Sequence, residues 1–506
     1  MGDKKVEHLL SSTSQLLYDQ IEQKKVIFII SNSTVDGIIS SSILFDSIYR
    51  LGGCAVIRCH DSANYSELKD RIRELITEGH DSYILVDFDS NIYNDIVDSI
   101  TKEKYFLFIN ADKNLTKQDP KENENIVCLN INNSKNVSDL KGISTVSTLV
   151  YHLVKGFDRK ITQVSYLPIV AEISKFSKAN INNSNYVYDE ILQTAITLNL
   201  VEKKKDLIFV DKQTSSVISA LEGNISHFIK GLTWNRQASI EVLKKSGISF
   251  AENKRVKSLS EFEERDYDEI VSSIEKFVEK RTSDNSLADS DAVAKKNVKE
   301  KLLAYNYVLT NEESNSILKG AYSFSRVLES CIRRKRYGIA LAILLGDRYN
   351  LLSEVQNQIQ TDKSILRKIG SKIFAEKWRF YEDKEIIFVN GEGIVDEKDI
   401  VQFAELLGKS LTFSDKIVCI RTTGTENEEM YKYTVISGDS VDLDSTKLKN
   451  KIREFIESQG LPSMDRYDIK YHNNDEGINL EIIVPMKELE VFLSNIKKIV
   501  LDARIP

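Results

Sequence analysis

The chain is poor in the residues from which metal and redox sites are built. Its five cysteines (Cys54, Cys59, Cys128, Cys331 and Cys419) are scattered, none stands in a CxxC pair, and six histidines are few among 506 residues. That pattern argues against a zinc site and against a disulfide framework, and it fits a reducing interior. Prolines number only five and do not cluster, so no proline-rich linker marks a boundary. No apolar run reaches the ~18 residues a membrane-spanning helix needs. No apolar signal region follows Met1-Gly2-Asp3-Lys4-Lys5, and a cytoplasmic, nucleoid-associated location is expected. An excess of positive charge is also missing. A net charge of −7 argues against a chain that coats nucleic acid over its whole surface, but it leaves room for a local basic groove.

What remains is a globular composition, 41% hydrophobic and 29% charged, at a length that suggests about three domains. Residues 1–200 alternate short apolar strands (26–30, 54–59, 83–87, 105–109 and 126–131) with helical stretches (37–50, 67–78 and 141–155). Continuous apolar strands separated by helices predict an α/β fold with a parallel sheet covered on both faces. Residues 201–380 read as a helical middle region, with charged helices at 261–281 and 293–304 around a polar break, Thr282 to Asp291. Residues 381–506 return to α/β, with strands at 386–389, 416–420, 431–437 and 478–484, helices at 397–408 and 445–459, and a closing helix at 487–502.

Ligands of such parallel sheets bind beyond the C-terminal ends of the strands, so those ends are the candidate site. The first strand runs into Ser31-Asn32-Ser33-Thr34-Val35-Asp36-Gly37. This segment resembles the first motif of the DHH phosphoesterases, the RecJ family, which reads His-x-Asp-x-Asp-Gly. Asn32 and Thr34 stand where the family has His and Asp, while Asp36 and Gly37 are retained. The third strand ends in Asp87-Phe88-Asp89, where the family places an Asp. The fourth ends in Asn110-Ala111-Asp112, where the name-giving Asp-His-His would stand. In Leu167 to Lys175 the late aspartate is replaced by Lys175, and in Gly142 to Tyr151 the family's small glycine-rich helix start has lost its glycines. Lys230-Gly231-Leu232-Thr233-Trp234-Asn235, Val327 to Arg333 and Tyr337 to Asp347 resemble segments of archaeal RecJ-like proteins. Asn473 to Pro485 resembles the DHH-associated domain without its glycine cluster and histidine.

The resemblance implies an N-terminal DHH domain (1–200), a helical middle region (201–380) and a C-terminal DHH-associated domain (381–506). Two-metal phosphodiester hydrolysis needs several carboxylates and imidazoles to hold ions ~4 Å apart. Asn, Thr and Ala cannot supply them, and a lysine repels cations. No cofactor is therefore expected, the alternative being one weakly held Mn or Mg ion on Asp36, Asp87, Asp89 and Asp112. The plainer alternative for each aspartate, an ordinary cap or turn residue, is favoured. Joint loss of the catalytic positions resembles the branch that supplies the RecJ-like subunit of the CMG replicative helicase. A non-catalytic scaffold between the GINS complex and the MCM helicase is thus expected, with single-stranded DNA as a further contact. The competing readings are a residual metal-dependent single-strand exonuclease or oligonucleotide phosphodiesterase, and a nucleic-acid-binding regulator. Arg333-Arg334-Lys335-Arg336 is the densest basic run. On a helix Arg333 and Arg336 would share a face and could contact phosphate, against the plainer reading of a solvated or ion-paired face. Trp234 and Trp378 are expected to pack in a core or between domains.

Overall fold

The apolar runs of the first 130 residues form five parallel strands, β1 (Val26–Asn32), β2 (Cys54–His60), β3 (Ser82–Val86), β4 (Tyr105–Asn110) and β5 (Ile126–Asn130), in the order β2-β1-β3-β4-β5. The computed structural model describes residues 2–61, 65–96, 104–110, 126–130, 145–175, 189–207, 209, 215–283, 298–299, 301–423, 430–438, 441, 445–458, 469–474, 477–485, 495, 497–499, 501–502 and 504. Contacts divide the chain into two units, each assembled from two stretches: Met1–Lys204 with Tyr305–Asn357, and Lys205–Ala304 with Gln358–Pro506.

Helices α1 (Gly2–Glu22), α2 (Val35–Arg50), α3 (Tyr65–Thr77), α4 (Ser90–Ile96), α5 (Val146–Lys155), α6 (Tyr166–Lys175) and α7 (Asp189–Thr197) accompany the parallel sheet. The middle stretch carries β6 (Val201–Leu207), α8 (Val217–Glu222), α9 (Arg236–Lys245), the hairpin β7 (Ala251–Glu252) and β8 (Arg255–Val256), α10 (Glu264–Ser283) and β9 (Leu303–Leu309). There follow α11 (Ala321–Arg333), α12 (Tyr337–Leu344), α13 (Asn350–Ala375), β10 (Phe380–Glu382), β11 (Ile386–Asn390), α14 (Ile400–Gly408), β12 (Ile417–Thr423), β13 (Met430–Ser437), α15 (Ser445–Ser458), β14 (Ile469–Asn474) and β15 (Gly477–Pro485).

The expected parallel sheet is present, with strand ends shifted by a residue or two. Its central strands are buried on both faces, as uninterrupted apolar sequence requires. Phe28 and Ile30 of β1, Tyr83 and Leu85 of β3 and Phe106 and Phe108 of β4 share a core with Leu68, Ile72 and Leu75 of α3 and Ile92 of α4. β2 is an edge strand and only half-buried. Cys54 at its start is therefore exposed and Cys59 half-buried.

The middle stretch is mostly helical, as expected, and the strands β6 to β9 are added to that reading. Of the expected helix 293–304, half lies outside the described residues, 298, 299, 301 and 302 are helical, and a strand begins at Leu303. Leu-Ala-Tyr-Asn-Tyr-Val-Leu is rich in aromatic and apolar residues that suit a half-buried strand, and β9 pairs with β6. Most of Thr282 to Asp291 and of the expected closing helix 487–502 also lies outside the described residues.

The second unit contains a six-stranded sheet in the order β10-β11-β12-β13-β15-β14, in which β11 and β12 run parallel and the other neighbours antiparallel. Ile387 and Val389 of β11 and Val418 and Ile420 of β12 pack with Phe403 and Leu407 of α14 and with Leu366, Ile369 and Ile373 of α13. A second core joins α8, α9 and α10 through Val217, Leu221, Val242, Leu243, Ile270 and Ile274.

Trp234 is a packing residue, as expected. It adopts a positive φ of 66°, and its ring lies 5.2 Å from that of Phe228 and against Gly370 of α13, where an added Cβ would meet Cζ3 at 2.1 Å. Gly370→Ala must displace a ring held on its other side. A loss of about 1–3 kcal/mol is expected, read as a lower urea midpoint at unchanged slope. An unchanged midpoint would mean that the ring swings aside freely.

Candidate functional site

In a sheet ordered β2-β1-β3, the chain changes direction of winding between β1 and β3, and a crevice opens beyond their C-terminal ends. The degenerate motif lies at that point. Thr34 has extended backbone (φ −94°, ψ 164°), and its hydroxyl accepts the amide of Gly37 at 2.9 Å, capping α2. The same hydroxyl donates to the Asp87 carboxylate. Asn32 donates through Nδ2 to the Asp87 carbonyl at 2.9 Å. Both residues standing in the family's ligand positions thus bind Asp87, tying the end of β1 to the end of β3. Asp87 itself has a φ of 64°, which a short polar side chain tolerates, and its amide donates to the Ile109 carbonyl at 2.9 Å. Gly37 is obligatory here, since a Cβ at that position would stand 2.5 Å from the Asn32 carbonyl oxygen.

Asp36, the retained aspartate, turns the other way. Its Oδ2 accepts the amide of Val146 at 2.7 Å, and its Oδ1 accepts that of Ser147 at 2.8 Å. These are the first two amides of α5. The third, from Thr148, is capped by the Thr145 hydroxyl at 3.2 Å. A helix N-terminus favours an anion through its free amides and dipole, and Asp36 supplies that anion from within the fold. It is buried, as are Thr145, Ser147 and Thr148 around it. Thr148 also donates to Glu172 of α6 at 3.4 Å, and Glu172 is buried.

The remaining candidates take other positions. Asp89 uses Oδ1 to accept the Asn91 amide at 2.7 Å, an ordinary turn at the start of α4. Asn110 is buried at the end of β4, following the Ile109 that receives Asp87. Lys175 is half-buried on the last turn of α6, one turn beyond Glu172. Ala111 and Asp112 lie outside the described residues. Among the described residues no group of three or more His, Cys, Asp or Glu side chains is placed to hold a metal ion.

Three neighbours escaped the sequence reading. His60 ends β2, its carbonyl accepts the Ser33 amide at 2.9 Å, and its Nε2 has no hydrogen-bond partner among the described residues. Burial, then the charges of Arg71 and Arg58, hold its pKa below the ordinary value. Tyr337, at the start of α12, shares a hydrogen bond with the Ser33 side chain, and burial raises its pKa. Beside them burial pushes the Cys59 thiol up to about 11, which keeps it protonated and unreactive. Thr145 was the third. Its only signal is a hydroxyl residue directly before an apolar stretch.

The basic run 333–336 does not form one helical face. α11 ends at Arg333, Lys335 takes a φ of 55°, and the amides of Lys335 and Arg336 return to the carbonyls of Ile332 and Cys331 at 2.8 Å each. This is a Schellman turn with lysine at the left-handed position. Arg333 is exposed, whereas Arg336 is half-buried and paired with Glu354. The second tryptophan also corrects the expectation. Trp378 is 65% exposed, because the turn that carries it lies outside the core that α13 helps to fill.

No protein-family model and no curated sequence matches the chain. Its fold is nevertheless shared with solved structures. A crystal structure of Cdc45 from Entamoeba histolytica superposes with a TM-score of 0.63 at 12% identity, covering 97% of this chain and 99% of that one. The exonuclease RecJ bound to manganese superposes with a TM-score of 0.50 at 12% identity, covering 98% and 95%.

Replacing Asp36 by Ala would strand two buried amides. We expect it to cost about 1–3 kcal/mol in urea denaturation followed by far-UV circular dichroism. Asp36→Asn, which keeps one acceptor oxygen, should lose less. Equal stability of all three proteins would show that α5 does not need this cap.

Proposed function

We propose that this chain, which has the RecJ-like fold, is a non-catalytic replication factor. It acts as a scaffold that joins the GINS complex to the MCM helicase, with single-stranded DNA as a further contact. The observation that carries the non-catalytic part is the engagement of Asp36. Both oxygens of the motif's retained carboxylate accept backbone amides of α5. A metal would have to share each oxygen with an amide at a buried helix start, whose dipole already serves the carboxylate's charge. The carboxylate of Asp87 is in turn taken by Thr34. A pair of divalent ions does not fit this donor set, because the Asn and Thr beside it are neutral and already committed to Asp87.

The scaffold part draws support from the extent of the likeness. The Cdc45 structure and this chain match along almost their whole lengths, so the shared architecture extends over nearly the whole chain. A protein that keeps this fold while its motif carboxylate serves as a helix cap is suited to binding through surfaces.

Purified chain mixed with GINS and MCM should co-elute with both, and MCM unwinding should rise when all three are present. Calorimetric titration with manganese should detect no tight two-ion site. Two stoichiometric ions, together with manganese-dependent product from single strands, would favour the exonuclease reading. A folded chain that ignores GINS and MCM would defeat the scaffold.

A further inference from the structure

The outer face of the second half of α13, and the turn after it, carries a combination the rest of the chain does not need. The inner face is fixed by Leu366, Ile369 and Ile373 in the core. Arg367, Lys368 and Lys372 therefore point outward and are exposed, and Lys377 and Trp378 follow in a short 3-10 turn, also exposed. Between 363 and 379 the sequence has six basic residues and a single acid, Glu376, in a chain whose net charge is −7. Lys368, Lys372 and Lys377 have no ion pair among the described residues. The Glu222 carboxylate nearby is shared by two guanidiniums, Arg367 at 3.2 Å and Arg236 at 3.4 Å, so it leaves the face positive. Lys368 and Lys372 stand one helical turn apart, about 6 Å along the axis.

Trp378 adds a flat apolar surface to this charge. The guanidinium of Arg379 lies 4.2 Å from its ring centroid, within cation–π range. Arg379 is itself immobilised, by Glu376 at 2.7 Å and by the carbonyls of Asn390 at 3.2 Å and Glu392 at 2.7 Å. The indole thus rests on a fixed cation with most of its surface in solvent. Tyr381, 56% exposed, follows on the edge strand β10.

We propose that this face binds single-stranded nucleic acid, with the lysines on phosphates and Trp378 stacked on a base. Such ligands are held by basic surface combined with aromatic platforms, because every base offers a π-face. An acidic peptide would satisfy the lysines but leave the indole unused, since peptide anchors seat in pockets and this ring stands proud. The inference deepens the DNA-contact part of the proposed function and is independent of GINS and MCM.

The test uses the full chain and a fluorescent oligothymidine of about 16 nucleotides, read by anisotropy. Trp378→Ala should weaken binding about tenfold, and Trp378→Phe should retain most of it. Combining Lys368→Ala with Lys372→Ala should reduce the slope of log affinity against log salt by about 1.4. Binding to GINS should survive each change. If the unaltered chain binds but Trp378→Ala binds equally well, DNA contacts another surface and this inference falls while the scaffold reading stands. If the unaltered chain binds no oligothymidine, the DNA-contact part falls too. If polyglutamate displaces the oligonucleotide and Trp378→Ala has no effect, the face belongs to an acidic protein segment and the inference is overturned.

Discussion

One carboxylate ties two distant helices of the first unit to each other. Asp36 sits in the first turn of α2 and closes the first turn of α5, 110 residues later in the chain. Its charge is stabilised twice, by the dipole of its own helix and by the amides of the other. Charge-assisted bonds of this kind contribute about 1.5–3 kcal/mol each when buried partners are matched. Much of the neighbourhood depends on that placement. α5 and α6 both pack against α2, and the Thr148–Glu172 contact continues the polar network into α6. With Asp36 turned inward, Asn32, Thr34 and Asp87 satisfy one another across the strand ends. The crevice where an α/β sheet ordinarily receives an anion has been furnished with one from within.

The parallel sheet was legible because its strands are short, apolar and bounded by turns, and burial on both faces leaves few other ways to read such runs. Helices α2, α3 and α14 were legible for the related reason that their apolar residues recur at helical spacing. The site was legible only in outline. Position relative to the strand ends could be read, but the partner of Asp36 could not, because nothing local marks residues 146 and 147 as its acceptors' donors. Asp89 offered a local signal, the turn at the start of a helix, and it does cap that turn. The basic run misled because four consecutive charged residues are compatible with a helix, whereas the chain reverses at Lys335, a residue without glycine's freedom. Trp378 misled for a compositional reason. Tryptophan is usually buried, and only the three-dimensional course of the turn leaves this one in solvent.

Charge in the second unit is distributed against the average. Elsewhere in that unit several cations are drawn into pairs. Lys230 and Lys416 meet at Glu382, Lys497 meets Asp383, and Arg421 meets Glu392. These contacts also raise the pKa of Lys497 and lower that of Asp383, against the opposing effect of burial. Paired cations have little left to offer a ligand. Along the outer face of α13 the lysines keep their full field, which an acidic chain of −7 cannot provide by composition alone.

The first unit is discontinuous, and this bears on its synthesis. α11 packs on α6 and α2, and α12 packs along α2, yet both are made only after residues 205–304 have been added. A chain emerging from the ribosome therefore presents the parallel sheet early, with the outer surfaces of α2 and α6 still bare, while about a hundred residues belonging to another core intervene. The delay falls on apolar surface, where misassociation is most costly. The first 204 residues alone therefore leave part of their unit's packing surface uncovered until residues 305–357 arrive.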